Sequence, residues 1–269
     1  MRVIDSVRLY ARYLGISLRA QMQYRASFLT AVATRLVQSA IEFLAVLALF
    51  DRFGSLRGWR LEEVALLYGM INVSFAFAEG FGRGFDTFDR MVKSGEFDRV
   101  LLRPRHTALQ VAGVELQLLR LGRLLQGLIV LSWASVALDI AWTLPRVGLL
   151  LVSVAGGTSL FVGLFILQAT LAFWTTETLE IANTVTYGGV ETAQYPLAIY
   201  RPWFRSIFIY LVPLGAVSYF PAMAILGKAD PLGSSALFQW LAPLIGVAFL
   251  LVALRVWGVG VRHYKSTGS

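Results

Sequence analysis

Thirty consecutive residues near the centre of the chain, 147–176, contain no charged side chain. A helix of about 20 apolar residues already crosses the ~30 Å hydrocarbon core of a bilayer, so this run is long enough to span one. Two further uncharged runs follow, at residues 206–227 and 231–254. The three runs together predict an all-α polytopic membrane protein, because backbone amides in hydrocarbon need partners within their own helix.

The overall composition agrees with a membrane protein. Of the 269 residues, 57% are hydrophobic and only 15% are charged. The net charge of +8 is explained by Lys and Arg concentrated on the cytoplasmic side, so it does not point to a nucleic-acid partner. The chain has no cysteine, and its two histidines, His106 and His263, are far apart, so no metal site, disulfide or Cys nucleophile is predicted.

The first 25 residues predict an amphipathic helix that lies on the membrane surface. Apolar side chains recur at three- and four-residue steps through residues 3–23, and Arg8, Arg12 and Arg19 fall on another face. An Arg-rich polar face suits anionic lipid, although a helix packed on a neighbouring protein surface would show the same pattern. The arginines are spread evenly and no cleavage site follows, so we expect this segment to remain on the protein.

Six apolar segments are predicted to cross the membrane as one domain, residues 26–258, followed by a cytoplasmic tail at 259–269. Their approximate bounds are 26–50, 61–81, 117–142, 147–174, 204–227 and 237–257. An even number of spans places both termini on the same side. Lys and Arg are far more frequent in the loops of that side, which predicts cytoplasmic termini and cytoplasmic loops at 82–116 and 175–203.

The most distinctive hydrophilic region is the loop that follows the second segment. Residues 85–93 predict a short amphipathic helix that Gly95 ends, and Pro104 stops a second short element. Charged residues mixed with Phe97, Leu101 and Leu102 favour docking on a protein surface. An ordinary basic loop whose apolar residues rest on lipid explains the pattern equally well.

Several ionisable residues fall within or at the ends of the predicted spans. Arg35 and Glu42 lie seven residues apart, on one face of the first span but too far apart to pair. Their candidate partners elsewhere are Glu79, Glu115, Arg120 and Arg123. Because charges at membrane depth are costly, these groups predict a substrate path or subunit interface, or else snorkelling and structural pairing between helices. Gly80 and Gly84 form a small-residue pair that suits close helix packing.

The loop between the second and third segments carries a resemblance to a known family. The residues from Lys93 to Pro104 resemble the G-x-x-D-x-x-L-x-R-P signature of ABC-2-type transporter permeases, with Gly95, Asp98, Leu101, Arg103 and Pro104 at the signature positions. Further matches occur in the right order along the chain. They are Phe173-Trp174, Tyr195-Pro196, Tyr200, Pro213 and the run from Tyr219 to Ala222. The chain is most similar to six-span bacterial permeases of about this length.

The resemblance implies a transmembrane permease subunit of an ATP-driven exporter in the bacterial cytoplasmic (inner) membrane. It implies a cytoplasmic coupling helix between spans 2 and 3, which docks on a separate ATPase that binds ATP and Mg²⁺. The implied contact residues are Gly95, Glu96, Phe97, Asp98, Leu101, Leu102, Arg103 and Pro104. It further implies a second permease copy or a sister permease, and a broken, re-entrant outer segment between spans 5 and 6, at Pro213 and Pro221.

The chain itself has no G-x-x-x-x-G-K-[ST] motif, so it cannot hold ATP phosphates by that mechanism. Energy for uphill transport must then come from another chain or from an ion gradient, and a gradient-driven carrier is the main alternative. A membrane-embedded lipid enzyme is a weaker alternative, because the chain shows no cluster of catalytic residues near an interface. We expect no bound cofactor and no catalytic activity in this chain alone.

Overall fold

The computed structural model describes residues 25–113, 121–175 and 179–264, together with residues 15, 19 and 23. For residues 179–183 only the backbone is described. The predicted surface helix at 3–23 therefore lies almost entirely outside the described residues. Glu115, Arg120 and residues 265–269 of the tail also lie outside them.

The described part of the chain is helical and contains no β-strand beyond one isolated bridge between Leu56 and Trp59. In chain order the α-helices are α1 (Arg25–Phe53), α2 (Leu61–Asp86), α3 (Phe88–Lys93), α4 (Glu96–Leu101), α5 (Thr107–Ala112), α6 (Leu121–Ala137), α7 (Leu144–Leu171), α8 (Leu179–Ala193), α9 (Pro202–Ser206), α10 (Leu214–Val217), α11 (Tyr219–Leu226), α12 (Ala236–Leu241) and α13 (Leu244–His263). A 3₁₀ turn lies at Leu197–Ile199, and a π-helical turn, Ile207–Leu211, continues α9.

Four of these helices are long and apolar enough to cross a membrane: α1, α2 with its continuation to Lys93, α7 and α13. The bent pair Pro202–Leu211 and Leu214–Leu226 adds a fifth if it is counted as one span. Helix α6 has 17 described residues, at the lower limit for crossing the hydrocarbon core. The prediction of an all-helical, multi-pass membrane protein is therefore confirmed, whereas the count of six spans stays a prediction.

Helix α2 forms the centre of the bundle, with α6 on one side, α7 on the other, and α13 against α7. The buried ring of Phe75 in α2 shows this arrangement, since its centroid lies 5.0 Å from that of Phe161 in α7. The guanidinium carbon of Arg123 in α6 lies 5.2 Å from the same ring. Helix α1 packs mainly on α6 and leaves most of its apolar surface exposed.

The bundle has two ends that differ in composition. We call the end that contains α3, α4 and the last turn of α13 the elbow end. The opposite end, which we call the cap end, contains Trp59, Glu63 and Lys228. Helices α2, α7 and α13 run from the cap end to the elbow end, and α1 and α6 run in the opposite direction.

The structure differs from the cytoplasmic loop predicted for residues 175–203, because most of this segment forms a helix that packs on the bundle. Helix α8 lies along α2 and α7, with Val190 and Ala193 almost fully buried. The Tyr187 ring lies 5.5 Å from that of Phe75, at the depth of the bundle core. The apolar side of α8 is short and interrupted by polar residues, so it does not produce the long uncharged run by which a span is recognised in sequence.

The bent pair turns by 70° at a break formed by Val212 and Pro213. Proline has no backbone N–H, so Pro213 donates no hydrogen bond here, and its carbonyl accepts from the Ala216 N–H at 3.1 Å. A second irregularity follows at Ser218, whose hydroxyl donates to the Leu214 carbonyl at 3.1 Å. Pro221 is not at this break but in the first turn of α11, where a backbone N–H would have no helical partner in any case.

The two glycines of the small-residue pair on α2 differ in what they face. A Cβ at Gly84 would overlap the backbone carbonyl of Val111 in α5, whereas a Cβ at Gly80 would meet no atom within 4 Å. Close packing at Gly84 therefore brings α5 against the elbow end of α2. Gly80 has no such role in this chain.

We expect Gly84→Ala to destabilise the protein by about 1–3 kcal/mol, because the added methyl forces two backbones apart. Gly80→Ala is the matched control and should be neutral, or stabilising by up to about 1 kcal/mol, since alanine favours helix more than glycine does. Thermal unfolding of both variants in detergent measures the difference. Equal unfolding temperatures would contradict the close contact of α2 with α5.

Candidate functional site

The elbow consists of α3 and α4, joined by Ser94 and Gly95. Gly95 has φ of +71°, a left-handed conformation that glycine adopts without the steric cost of a Cβ. This residue lets the chain turn sharply between two helices of six residues each. Three residues beyond α4, Pro104 ends the elbow on its exposed side.

Phe97 fixes the elbow to the bundle and is fully buried, with 0% of its surface exposed. Its ring centroid lies 5.0 Å from that of Phe88 in α3, 5.5 Å from that of Phe173 and 5.0 Å from that of Tyr264. The Trp257 ring also contacts this cluster, and its indole N–H donates to the Thr107 hydroxyl at 2.9 Å. We call these residues the aromatic anchor: Phe88, Phe97, Phe173, Trp257 and Tyr264.

The burial of Phe97 corrects its predicted role as a contact for a second protein. Its ring is enclosed by side chains of the same chain, so no exposed surface remains for a partner. Asp98 is half-buried beside the aromatic anchor, where burial and the negative charge of Asp98 raise the pKa of the Tyr264 hydroxyl. Both residues position the elbow, and neither forms its outer surface.

The remaining predicted contact residues form an exposed surface, which we call the docking patch. Its members are Glu96, Leu101, Leu102, Arg103 and Pro104. Leu102 is 85% exposed, although Phe97, five residues earlier, is fully buried. Gly95 is half-buried between the patch and the anchor. The structure thus divides the predicted contact residues into an inner group, which packs the elbow on the bundle, and an outer group, which forms the exposed surface of the elbow.

A polar cluster lies within the bundle, between α1, α2, α6 and α8. The buried Tyr68 hydroxyl accepts a hydrogen bond from the Gln126 amide at 3.2 Å and lies 3.4 Å from the Ser39 carbonyl. Glu42, Arg123 and Glu191 lie close enough to Tyr68 to act on it electrostatically. We call this group the polar cluster: Glu42, Tyr68, Arg123, Gln126 and Glu191.

Only some of the ionisable residues predicted to lie in the membrane belong to the polar cluster. Glu42 and Arg123 belong to it, whereas Arg35 is exposed on α1 and donates to the Gln38 side chain at 3.0 Å. Glu79 is buried on α2, with 2% of its surface exposed. Arg120 lies outside the described residues. The cluster is open on one side, because Glu191 is exposed on the surface of the single chain.

Tyr68, Gln126 and Glu191 were not predicted from the sequence as site residues. The sequence predicts a loop for the segment that contains Glu191, and a loop residue is not expected within the bundle. A signal was present, since Thr186, Val190 and Ala193 recur at helical spacing and all three are buried. Tyr68 and Gln126 carry no charge, and only the packing of α2 against α6 shows that they meet.

The cap end contains a second set of polar contacts. The buried carboxylate of Glu63 pairs with Lys228 at 2.5 Å, and the Lys228 ammonium lies 5.2 Å from the centroid of the Trp59 ring. The Tyr219 hydroxyl donates to Asp230 at 2.6 Å. Burial raises the pKa of the Asp230 carboxyl, but hydrogen bonds from Ser234, Tyr219 and the backbone outweigh it and lower the pKa overall.

These contacts tie the bent pair to the start of α2. The bent pair reaches the bundle core at the buried Val212, and the chain that follows it reaches the cap end at Lys228.

Comparison with protein families gives one match that covers most of the chain. Residues 36–268 match the family model described as ABC-2 family transporter protein. No curated protein and no solved structure matches the chain in the corresponding searches. The match includes the elbow, the polar cluster and the bent pair.

Truncation of the central ring of the aromatic anchor tests whether it holds the elbow in place. We expect Phe97→Ala to cost about 3–5 kcal/mol, the usual effect of removing a buried aromatic side chain. Faster trypsin cleavage after Arg99 in the purified full chain would report the loosened elbow. Phe53→Ala is the control, because Phe53 is 64% exposed. Equal cleavage of both variants and the unaltered chain would show that Phe97 does not anchor the elbow.

Proposed function

We propose that this chain, which belongs to the ABC-2 family of transporter proteins, is the transmembrane permease subunit of an ATP-driven exporter. In this proposal a separate ATPase chain binds ATP and Mg²⁺ and docks on the elbow. Two permease chains, either identical copies or this chain with a sister permease, enclose the translocation path. The chain itself catalyses no reaction, and its partners besides lipid are the ATPase and the second permease.

The docking patch is the observation that carries the proposal. An exposed leucine pair, Leu101 and Leu102, beside charged Glu96 and Arg103 suits a protein surface better than water alone. Exposed apolar residues rimmed by polar ones commonly mark interaction sites. The absence of a phosphate-binding G-x-x-x-x-G-K-[ST] motif from the sequence is consistent with an ATPase on another chain.

The aromatic anchor gives the docking patch a mechanical connection to the membrane helices. Phe97 contacts rings at the ends of α7 and α13, so a displacement of α4 displaces the ends of two long helices with it. Close-packed interiors transmit such displacements because they have little free volume in which to absorb them. ATP-driven movement at the elbow would reach the bundle by this route.

The polar cluster is proposed to line the path where two permeases meet. Placing a charged side chain at membrane depth costs free energy, so such residues commonly mark a substrate path or an interface within the bundle. Glu191 is exposed in the single chain, so a second permease packed on this side would reach the cluster. Tyr68, Gln126 and Arg123 extend it into the chain interior.

The location proposed for the protein is the bacterial cytoplasmic (inner) membrane, with the elbow and both termini in the cytoplasm. The elbow region contains Arg83, Arg90, Lys93, Arg99, Arg103 and Arg105, and cytoplasmic loops are enriched in such residues. In this arrangement the bent pair enters from the outer side. Six spans result if α6 and α8 each cross the membrane.

Coupling is tested by expressing the chain with the ATPase encoded in a neighbouring reading frame. We expect Leu102→Asp to reduce co-purification of the ATPase by at least about tenfold, because a carboxylate replaces an apolar contact at the centre of the patch. Leu144→Asp is a matched control, since Leu144 is 86% exposed at the cap end and Leu102 is 85% exposed. If both variants retain the ATPase equally, the docking patch is assigned wrongly.

The same preparation distinguishes the alternative functions. A gradient-driven carrier would bind no ATPase, and its transport would stop when an ionophore dissipates the gradient. A membrane-embedded lipid enzyme would convert lipid in the absence of ATP. Neither outcome is compatible with the proposal.

The path through the polar cluster is tested by thiol labelling, since the chain contains no cysteine of its own. We expect Glu191→Cys to react with a charged, water-soluble thiol reagent, because a substrate path contains water. Leu151→Cys is the control, since Leu151 is 64% exposed on an apolar surface of α7 that lipid would cover. A Glu191→Cys variant as unreactive as the control would indicate a purely structural cluster.

A further inference from the structure

An apolar cavity of about 570 Å³ lies between α7, α8, α13 and the break of the bent pair. Its volume falls within the usual range for ligand sites of about 300–1,000 Å³. Its walls include Leu164, Val185, Val212, Phe249 and Val256, and none of its lining residues is charged. No residue of the polar cluster or the docking patch takes part in it.

The cavity extends from the middle of the bundle to the elbow end. Along α7 its lining residues begin at Leu164 and reach Trp174, just beyond the helix. Hydrogen-bonded turns continue the chain from Leu171 to Thr175, so the ten residues after Leu164 at ~1.5 Å each correspond to about 15 Å. This is half of the ~30 Å hydrocarbon core, the thickness occupied by the acyl chains of one leaflet. The cavity therefore has the length of one acyl chain layer.

The mouth of the cavity at the elbow end carries the residues that a lipid head group requires. Trp174 lines the cavity, is 55% exposed, and lies 5.8 Å from the His263 ring between centroids. His263 lies seven residues after Val256, so both share one face of α13. Arg262, the neighbouring residue, is also exposed.

Hydrogen bonding determines which ring nitrogen of His263 faces outward. Its Nδ1 lies 2.9 Å from the Val259 carbonyl oxygen, which can only accept, so Nδ1 carries the proton. The Nε2 atom is left for a partner outside the helix. The neighbouring Arg262 guanidinium would bind a phosphate oxygen of the head group.

We propose that this cavity binds one phospholipid of the leaflet at the elbow end, with an acyl chain inside and an anionic phosphate head group at Trp174, Arg262 and His263. Basic pockets between membrane helices are known to bind anionic head groups. Here Arg262 and His263 form the basic last turn of α13, the helix whose Val256 lines the uncharged cavity, and the His263 ring lies beside Trp174. The bound acyl chain contacts Leu211 and Val212, so the lipid packs against the break of the bent pair. This inference does not depend on coupling to an ATPase.

Native mass spectrometry of the full chain, purified in detergent with added phosphatidylglycerol or phosphatidylcholine, tests the acyl-chain site. We expect Val256→Phe, which fills part of the cavity, to lower the affinity for phosphatidylglycerol about tenfold. The larger side chain would displace about two methylene groups of the acyl chain from the apolar wall, and a tenfold change corresponds to the loss of about two such contacts. Leu254→Phe is the matched control, because Leu254 is 37% exposed and Val256 is 38% exposed on the same helix. Equal lipid binding by both variants would overturn the proposal.

The head-group contacts are tested separately. The double variant Arg262→Ala and His263→Ala should abolish the preference for phosphatidylglycerol over phosphatidylcholine and leave phosphatidylcholine binding unchanged. An undiminished preference would overturn the assignment of the anionic site. If Val256→Phe converts a dimer into a monomer and leaves lipid binding unchanged, the cavity is a contact between two copies of the chain. That result would also overturn the proposal.

Fluorescence gives a second measurement that does not need a cavity variant. Phosphatidylglycerol with brominated acyl chains quenches a tryptophan that it touches. We expect the quenching at low lipid concentration to disappear in Trp174→Phe and to persist in Trp142→Phe, whose indole lies at the cap end. Equal quenching in both variants would contradict a lipid at Trp174.

Discussion

The packing of Phe97 against Phe173, Trp257 and Tyr264 is the interaction on which the arrangement of this protein depends. It joins a short surface element to the ends of two membrane helices. Without it, α3 and α4 would be two isolated helices of six residues each, too short to be stable in water by themselves. With it, the exposed Leu102 is held in a fixed position relative to the bundle.

The hydrocarbon surroundings limit where polar groups can lie, and the described residues show two solutions. At the polar cluster, side chains of four helices bring opposite charges and hydrogen-bonding groups together around Tyr68. At the bent pair, irregular backbone at Val212 and Ser218 is enclosed by α7, α8 and α13. Irregular backbone at membrane depth is tolerated when protein surrounds it. Both features converge on α8, which contacts α2 as well as the bent pair.

Much of the elbow was predictable, because its structure follows from local rules. Gly95 supplies a left-handed residue, Pro104 cannot continue a helix, and Phe88 with Val92 forms an apolar side. The orientation of Phe97 was not predictable in this way. A phenylalanine among charged residues suits an exposed contact as well as a buried anchor, and only the positions of α7 and α13 decide between them.

The sequence by itself determined that the chain is a helical membrane protein and where its hydrophilic elbow lies, because length without charge and local turn residues are properties of adjacent positions. The tertiary structure decided the rest: that α8 packs on the bundle, that Glu191 lies near enough to Glu42 and Arg123 to act on them electrostatically, and that Phe97 faces inward. Each of these depends on residues far apart in the chain. In an apolar sequence nearly every helix face is compatible with burial, so hydrophobicity alone does not select which faces meet.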